Sequence, residues 1–202
     1  MKTKLGIAGM FVMALVGMLA AETMAAPPTT RPAGRARAVQ AGADDFVISK
    51  MRVQQLKGST YLYKEAETTF AKMGPVIQQT MGALVPALKT KHVEIAGPPS
   101  FVYKGVTMDR SKPFHLEIGF AVAPGTEGFG DYKLRQLEPM LSATVLYSGR
   151  IDQGGMGTAY QQLFGDLFGA GLMPSGENRE TYLMCEGPES TNSIVLIQVG
   201  VK

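Results

Sequence analysis

Two segments of this chain repeat one another, and that limits its fold more than any other feature. Residues 73–85 read Met73-Gly-Pro-Val-Ile-Gln-Gln-Thr-Met-Gly-Ala-Leu-Val, and residues 156–168 read Met156-Gly-Thr-Ala-Tyr-Gln-Gln-Leu-Phe-Gly-Asp-Leu-Phe. Six of thirteen positions are identical, among them Gln78/Gln161, Gly82/Gly165 and Leu84/Leu167. Upstream, Thr60-Tyr-Leu-Tyr63 matches Thr144-Val-Leu-Tyr147, at an offset of 84 rather than 83. An internal repeat of this kind means two copies of one supersecondary unit. Two like units meet at a pseudo-twofold seam, and a seam is a natural place for a pocket.

Each copy reads as strand, helix, strand, strand. Phe46 to Gln55 alternates weakly and reads as a strand, and Lys57-Gly58 as a turn. The Thr and Tyr content of 59–63 suits another strand. Gly74-Pro75 opens a helix whose apolar stripe is Val76, Ile77, Met81, Leu84 and Leu88. Pro86 is expected to end or kink it. Gly97-Pro98-Pro99 reads as a loop. Residues 100–106 and 114–122 then form a hairpin, with Phe114, Leu116, Ile118 and Phe120 on one face. The second copy follows suit. Residues 134–147 are strand material, and Ala159, Tyr160, Leu163, Phe164, Leu167 and Phe168 line a helix face. Gly169 and Gly171 stop that helix, and residues 180–185 and 193–199 close the unit. Gly82 and Gly165 each cost their helix about 1 kcal/mol relative to Ala. Either each helix packs very close to a neighbour there, or the glycines are inherited repeat history.

The N-terminus stands outside this pattern. Lys2 and Lys4 precede an apolar run, Leu5 to Ala21, and a small-residue cleavage context ends at Ala25. Residues 1–25 therefore read as a signal peptide, which implies an exported protein, periplasmic or secreted. The rival reading is an uncleaved membrane anchor, but a run of about 17 apolar residues is at the short limit for a membrane span; once the peptide is cleaved, no stable insertion is expected. Residues 26–45 are a Pro- and Ala-rich basic linker carrying Arg31, Arg35 and Arg37. Residues 46–202 suit one domain.

Several function classes are excluded. A net charge of +3 is too balanced for a nucleic-acid partner. The single cysteine, Cys185, forms no intramolecular disulfide and reads as a small core residue. His92 and His115 have no ligand-spaced companions, so no metal is expected, nor any other cofactor. No Gly-rich segment has the order of a phosphate cradle.

The paired plan, with Leu146-Tyr-Ser-Gly149 leading into the second helix and Glu180-Thr-Tyr182-Leu following it, resembles the GyrI-like small-molecule-binding domain. That domain also serves as the effector-binding module of multidrug-sensing regulators. The resemblance spans roughly residues 47–201. It implies an α+β fold in which two strand-helix-strand-strand repeats form one curved antiparallel sheet with both helices on one face. It implies a ligand cleft between the repeats, and it assigns to Glu180 the acidic residue of an aromatic cage that receives flat cations. The sequence departs from the family at Arg150, where an aromatic residue is usual, and it contains no Trp.

Glu180 is accordingly read either as a charge receptor or as a surface carboxylate paired with Arg179 or a Lys. Tyr103 and Tyr182 occupy matched positions in the closing hairpins, and Tyr63 and Tyr147 form a second matched pair. All four could line a shared cleft and hold a guest by stacking and cation–π contact, or they are ordinary core-edge rings. Glu117 faces either the concave side of the sheet or bulk water. Tyr160 and Phe164 read as core. Three functions remain open: an exported domain binding an amphipathic or cationic molecule, a hydrolase of electrophilic molecules with Glu180 as general base, and an envelope protein-interaction module.

Overall fold

The computed structural model describes residues 46–202 apart from Met108, Asp152 and Gln153. The expected signal peptide and linker lie outside the described residues. Nine strands and two helices are described. They are β1 (Phe46–Ile48), β2 (Arg52–Leu56), β3 (Ser59–Thr68), α1 (Met73–Thr90), β4 (Ile95–Lys104), β5 (Phe114–Val122), β6 (Lys133–Leu137), β7 (Met140–Gly149), α2 (Gly155–Gly169), β8 (Pro174–Met184) and β9 (Ile194–Val201). They form one curved, unclosed antiparallel sheet in the order β1-β7-β9-β8-β4-β5-β3-β6, with β2 also on β7. This is the α+β arrangement of paired strand-helix-strand-strand units, β3-α1-β4-β5 and β7-α2-β8-β9.

The units join in two places. At the sheet centre β4 runs antiparallel to β8, with Phe101 opposite Glu180. Counted from the matched tyrosines Tyr103 and Tyr182, Phe101 and Glu180 are the same position in the two copies. The pseudo-twofold axis therefore passes between them. At the second junction β2-β3 pairs with β6-β7 in a single register, from Arg52 opposite Thr144 to Tyr63 opposite Lys133. The chains crowd at this crossing, where a Cβ on Gly58 would lie 2.8 Å from the Leu137 carbonyl oxygen.

The helices pack on one face of the sheet, α1 over β3 and β5 and α2 over β7. Their buried stripes are Leu84, Val85 and Leu88 on α1 and Ala159, Leu163 and Leu167 on α2. The helix stripes read from periodicity are thus the packed faces. Both helices end alike. The Val93 N–H donates to the Leu88 carbonyl and the Leu172 N–H to the Leu167 carbonyl, with His92 and Gly171 at φ of 53° and 73°.

Local expectations failed at four places. Residues 46–55 do not make one strand: the Ser49 N–H still donates to the Leu146 carbonyl, but the Leu146 N–H goes to the Ser49 hydroxyl, and the register on β7 shifts by one residue between β1 and β2. Pro86 does not end α1, which continues through it to Thr90. The bond it removes belongs to the Gly82 carbonyl, and both residues lie on the exposed side, where solvent can satisfy that carbonyl. Residues 97–99 lie within β4 and not in a loop, accommodated by a shift of register between Ile95 and Pro99. Gly82 and Gly165 do not mark close packing, since a Cβ at either position meets nothing within 4 Å. A close backbone approach occurs at Gly119 instead, on β5. There a Cβ would overlap the Leu62 carbonyl oxygen and lie 2.7 Å from the Tyr63 Cα.

Thermal or denaturant unfolding should therefore separate these glycines. Gly165→Ala should stabilise the domain by about 1 kcal/mol. Gly119→Ala should destabilise it by about 1–3 kcal/mol.

Candidate functional site

Strand alternation gives the sheet two chemically different sides. Phe101 and Tyr103 of β4 share the helix side with Glu180 and Tyr182 of β8. Val102 and Arg179, one residue along each strand, face away. Glu180 sits in the middle of β8 and does not begin it, which carries its carboxylate into the interior at 5% exposure.

Three phenols surround that carboxylate. Tyr103 Oη donates to Oε2 at 2.6 Å, Tyr182 Oη to Oε2 at 2.7 Å, and Tyr160 Oη to Oε1 at 2.9 Å. Phe101 completes the floor, tilted against Tyr182 at 4.7 Å between ring centroids. No cation pairs with Glu180 among the described residues. Arg179 points to the opposite side and binds Glu177 at 2.6 Å, so the reading of Glu180 as an Arg179-paired surface residue is overturned. Burial raises the Glu180 pKa from its ordinary value of 4.5, against the lowering effect of the three hydroxyl donors. Burial, with Glu180 beside them, pushes the Tyr103, Tyr160 and Tyr182 hydroxyls well above the usual tyrosine value. They are therefore donors to the carboxylate over the whole physiological range.

Side chains from both helices close over this floor. Half-buried Ile77 and Met81 of α1 and Tyr160 and Phe164 of α2 pack against the cluster that contains Phe101, Tyr103 and Tyr182. Tyr160 was expected to be core, and it supplies the third hydroxyl. The signal was present in the repeat. The matched residue in the first copy is Ile77, and a hydroxyl on an inward helix face needs an acceptor.

The remaining expected residues go elsewhere. Tyr147 lies on the helix side, but its hydroxyl donates to the Arg150 carbonyl and its ring packs on Phe46 at 5.8 Å. Tyr63 lies on the other side of the sheet, stacked on Tyr61 at 5.4 Å. The Tyr63/Tyr147 match is therefore not a structural one. In sheet register Tyr63 corresponds to Thr144, because an offset of 81 and not 84 relates β3 to β7.

Glu117 also lies on the helix-free side, away from Glu180 and, at 2% exposure, away from bulk water. Lys104 Nζ approaches its Oε1 at 2.5 Å, and Arg135 donates from Nε to Oε2 at 2.9 Å. Arg135 continues to Glu177 at 3.6 Å, and Glu177 to Arg179. Arg135 lies 6.0 Å from the centroids of both Tyr61 and Tyr63. This carboxylate is already neutralised, whereas Glu180 is not. An open surface groove of about 510 Å³ runs along the β3–β6 rim. Its charges pair with one another, Lys133 with Glu65 and Lys64 with Asp131. Among the described residues no cluster of metal-ligating side chains occurs, and no helix is long and apolar enough to cross a membrane.

No family model matches the chain. In sequence it is 36% identical over 72 residues to a lysine–tRNA ligase of Azoarcus sp. (strain BH72), which covers 35% of this chain and 14% of the ligase. Among solved structures, the C-terminal domain of EcmrR superposes with a TM-score of 0.63 at 16% identity, over 76% of this chain and 97% of that domain. The chain spans 57% of the EcmrR chain seen in a DNA complex. SAV2435 bound to tetraphenylphosphonium superposes with a TM-score of 0.58 at 12% identity, over 76% of this chain and 94% of that one. These likenesses are consistent with a GyrI-like fold.

The Glu180 environment predicts a pH signature for the ligand-free protein. A carboxyl whose pKa is raised by folding holds its proton more tightly when folded. Its contribution to stability is fully present below 4.5 and is lost as pH rises through the raised value. Glu180→Gln keeps the uncharged form at every pH. The variant should therefore gain stability relative to the parent as pH rises from about 4.5 to neutrality. A difference in unfolding free energy that does not change with pH would contradict this.

Proposed function

We propose that this chain is an exported small-molecule-binding protein that takes an amphipathic organic cation over the β4–β8 seam. One observation carries the reading. A carboxylate is buried at the pseudo-twofold axis among three tyrosine hydroxyls and aromatic faces, with no cation beside it among the described residues. Burying a carboxylate is costly unless something compensates its charge. Tyrosine hydroxyls compensate only in part, because they are neutral. A bound cation would complete the pairing, and the surrounding rings would hold its apolar body. The fold shared with SAV2435, which is seen bound to tetraphenylphosphonium, supports this class of ligand. Export is supported by the apolar run behind Lys2 and Lys4.

Entry requires the covering side chains to move. Met81 suits that role, being unbranched and polarizable, and so able to repack around guests of different outline. Phe101, Tyr103 and Tyr182 belong to the strands and form the fixed floor.

Isothermal titration with tetraphenylphosphonium tests the proposal. The folded domain should bind it saturably, and Glu180→Gln should weaken binding by about tenfold or more, equivalent to about 1.4 kcal/mol. Binding should also strengthen as pH rises and Glu180 ionises. Unaltered affinity in Glu180→Gln would remove Glu180 from the site, and the absence of any binding by the parent would remove the proposal.

A further inference from the structure

The α2 row that reaches Glu180 through Tyr160 differs in chemistry from the α1 row that the repeat makes equivalent to it. On α2 the row is Tyr160, Phe164 and Phe168. On α1 the matched residues are Ile77, Met81 and Val85. The three α2 rings stand one turn apart in a continuous series, with centroid separations of 6.3 Å and 6.0 Å and interplanar angles of 23° and 24°. At about 1.5 Å rise per residue the series extends roughly 12 Å along the helix. Its inner end is bonded to Glu180 through Tyr160. Its outer end is in solvent, for Phe168 is 54% exposed whereas its counterpart Val85 is buried at 4%.

A phenylalanine left half exposed forgoes much of the gain of hydrophobic burial, and contiguous exposed apolar surface marks interaction sites. Phe168 is also unnecessary to the packing of α2, which rests on Ala159, Leu163 and Leu167. What distinguishes it is continuity with the ring that touches the buried carboxylate. We propose that Phe168 and Phe164 form a receiving platform on which an aromatic cation stacks before it reaches Glu180, so that the α2 row sets the rate of capture and favours aromatic over purely aliphatic cations. This inference rests on the proposed cation site and adds to it an entry route and a kinetic role. Stacking on Phe168 needs no rearrangement, because its ring is already in water. Passage inward then needs the covering side chains to move and Tyr160 to release Glu180, and the arriving cation replaces the lost hydrogen bond with a charge pair. The α1 row offers no such series of π faces, so the route is one-sided.

Stopped-flow fluorescence with the planar cation ethidium tests this, with the aliphatic cation tetrabutylammonium followed by calorimetry as the comparison. In Phe168→Ala, association and dissociation of ethidium should both slow by roughly three- to tenfold, leaving its affinity near the parental value, because a contact made only along the route lowers the barrier in both directions. The affinity for tetrabutylammonium should stay at the parental value. Phe168→Trp should restore fast association. Since Phe168 is exposed, its removal does not threaten folding, and Phe164→Ala provides a second variant expected to act in the same direction. Glu180→Gln should instead speed dissociation of both cations. Ethidium association that is unaltered in Phe168→Ala, or equal weakening of both cations, overturns the platform while leaving the Glu180 site intact. Tetraphenylphosphonium binding without ethidium binding does the same. Failure of all three cations to bind the parent overturns both.

Discussion

The pairing of β4 with β8 is the constraint on which the rest of this structure depends. It joins the two copies at the centre of the sheet and sets Phe101 opposite Glu180 on the pseudo-twofold axis. Two residues that the repeat makes equivalent become direct neighbours, so a difference between the copies is focused at one point. Because the pair lies between the helices, the carboxylate is carried away from water. Because Tyr103 and Tyr182 stand two residues further along their strands, both hydroxyls converge on the same carboxylate oxygen. A shift of β8 by one residue would send Glu180 to the opposite side of the sheet, and a shift of β4 would do the same to Phe101 and Tyr103.

The two buried carboxylates show how one sheet supports different chemistry on its two faces. Glu117 is satisfied by Lys104 and Arg135, and these pairs link β4, β5 and β6 into the curved sheet. Such a site is closed to further cations, because its charge is already matched. Among the described residues Glu180 meets only neutral donors. Phenol hydrogen bonds favour its ionised form, but burial outweighs them and its pKa is raised. The first arrangement serves structure. The second leaves a charge to be matched by something else.

Much of this was readable in particular residues. The helix stripes follow from apolar spacing, since a helix must bury one face wherever it packs. Tyr103, Tyr182 and Glu180 could be placed together, because strand order and the matched tyrosines locate the closing hairpins. Tyr63 and Tyr147 misled for a physical reason. Identity at an offset of 84 suggested equivalence, but strand faces follow register, and an odd offset of 81 puts the two rings on opposite sides. Tyr160 escaped because a tyrosine on an apolar helical stripe looks like core until its hydroxyl is asked for a partner. Pro86 and residues 97–99 escaped because solvent exposure and a register shift tolerate prolines that isolated segments would not.

The sequence by itself determined the two-unit plan, the inward faces of the helices and the presence of a single acidic residue at the point where the copies diverge. Those are local properties, set by periodicity, by turn chemistry and by comparing one copy with the other. Long-range packing buried Glu180 with only hydroxyl partners among the described residues, neutralised Glu117 on the far side, and assigned Tyr160 to the first of these and Tyr63 to the surroundings of the second. Each of those depends on the register between strands distant in sequence and on which helix lies over which strand. A change of one residue in register exchanges the two faces, and no property of a single strand records it.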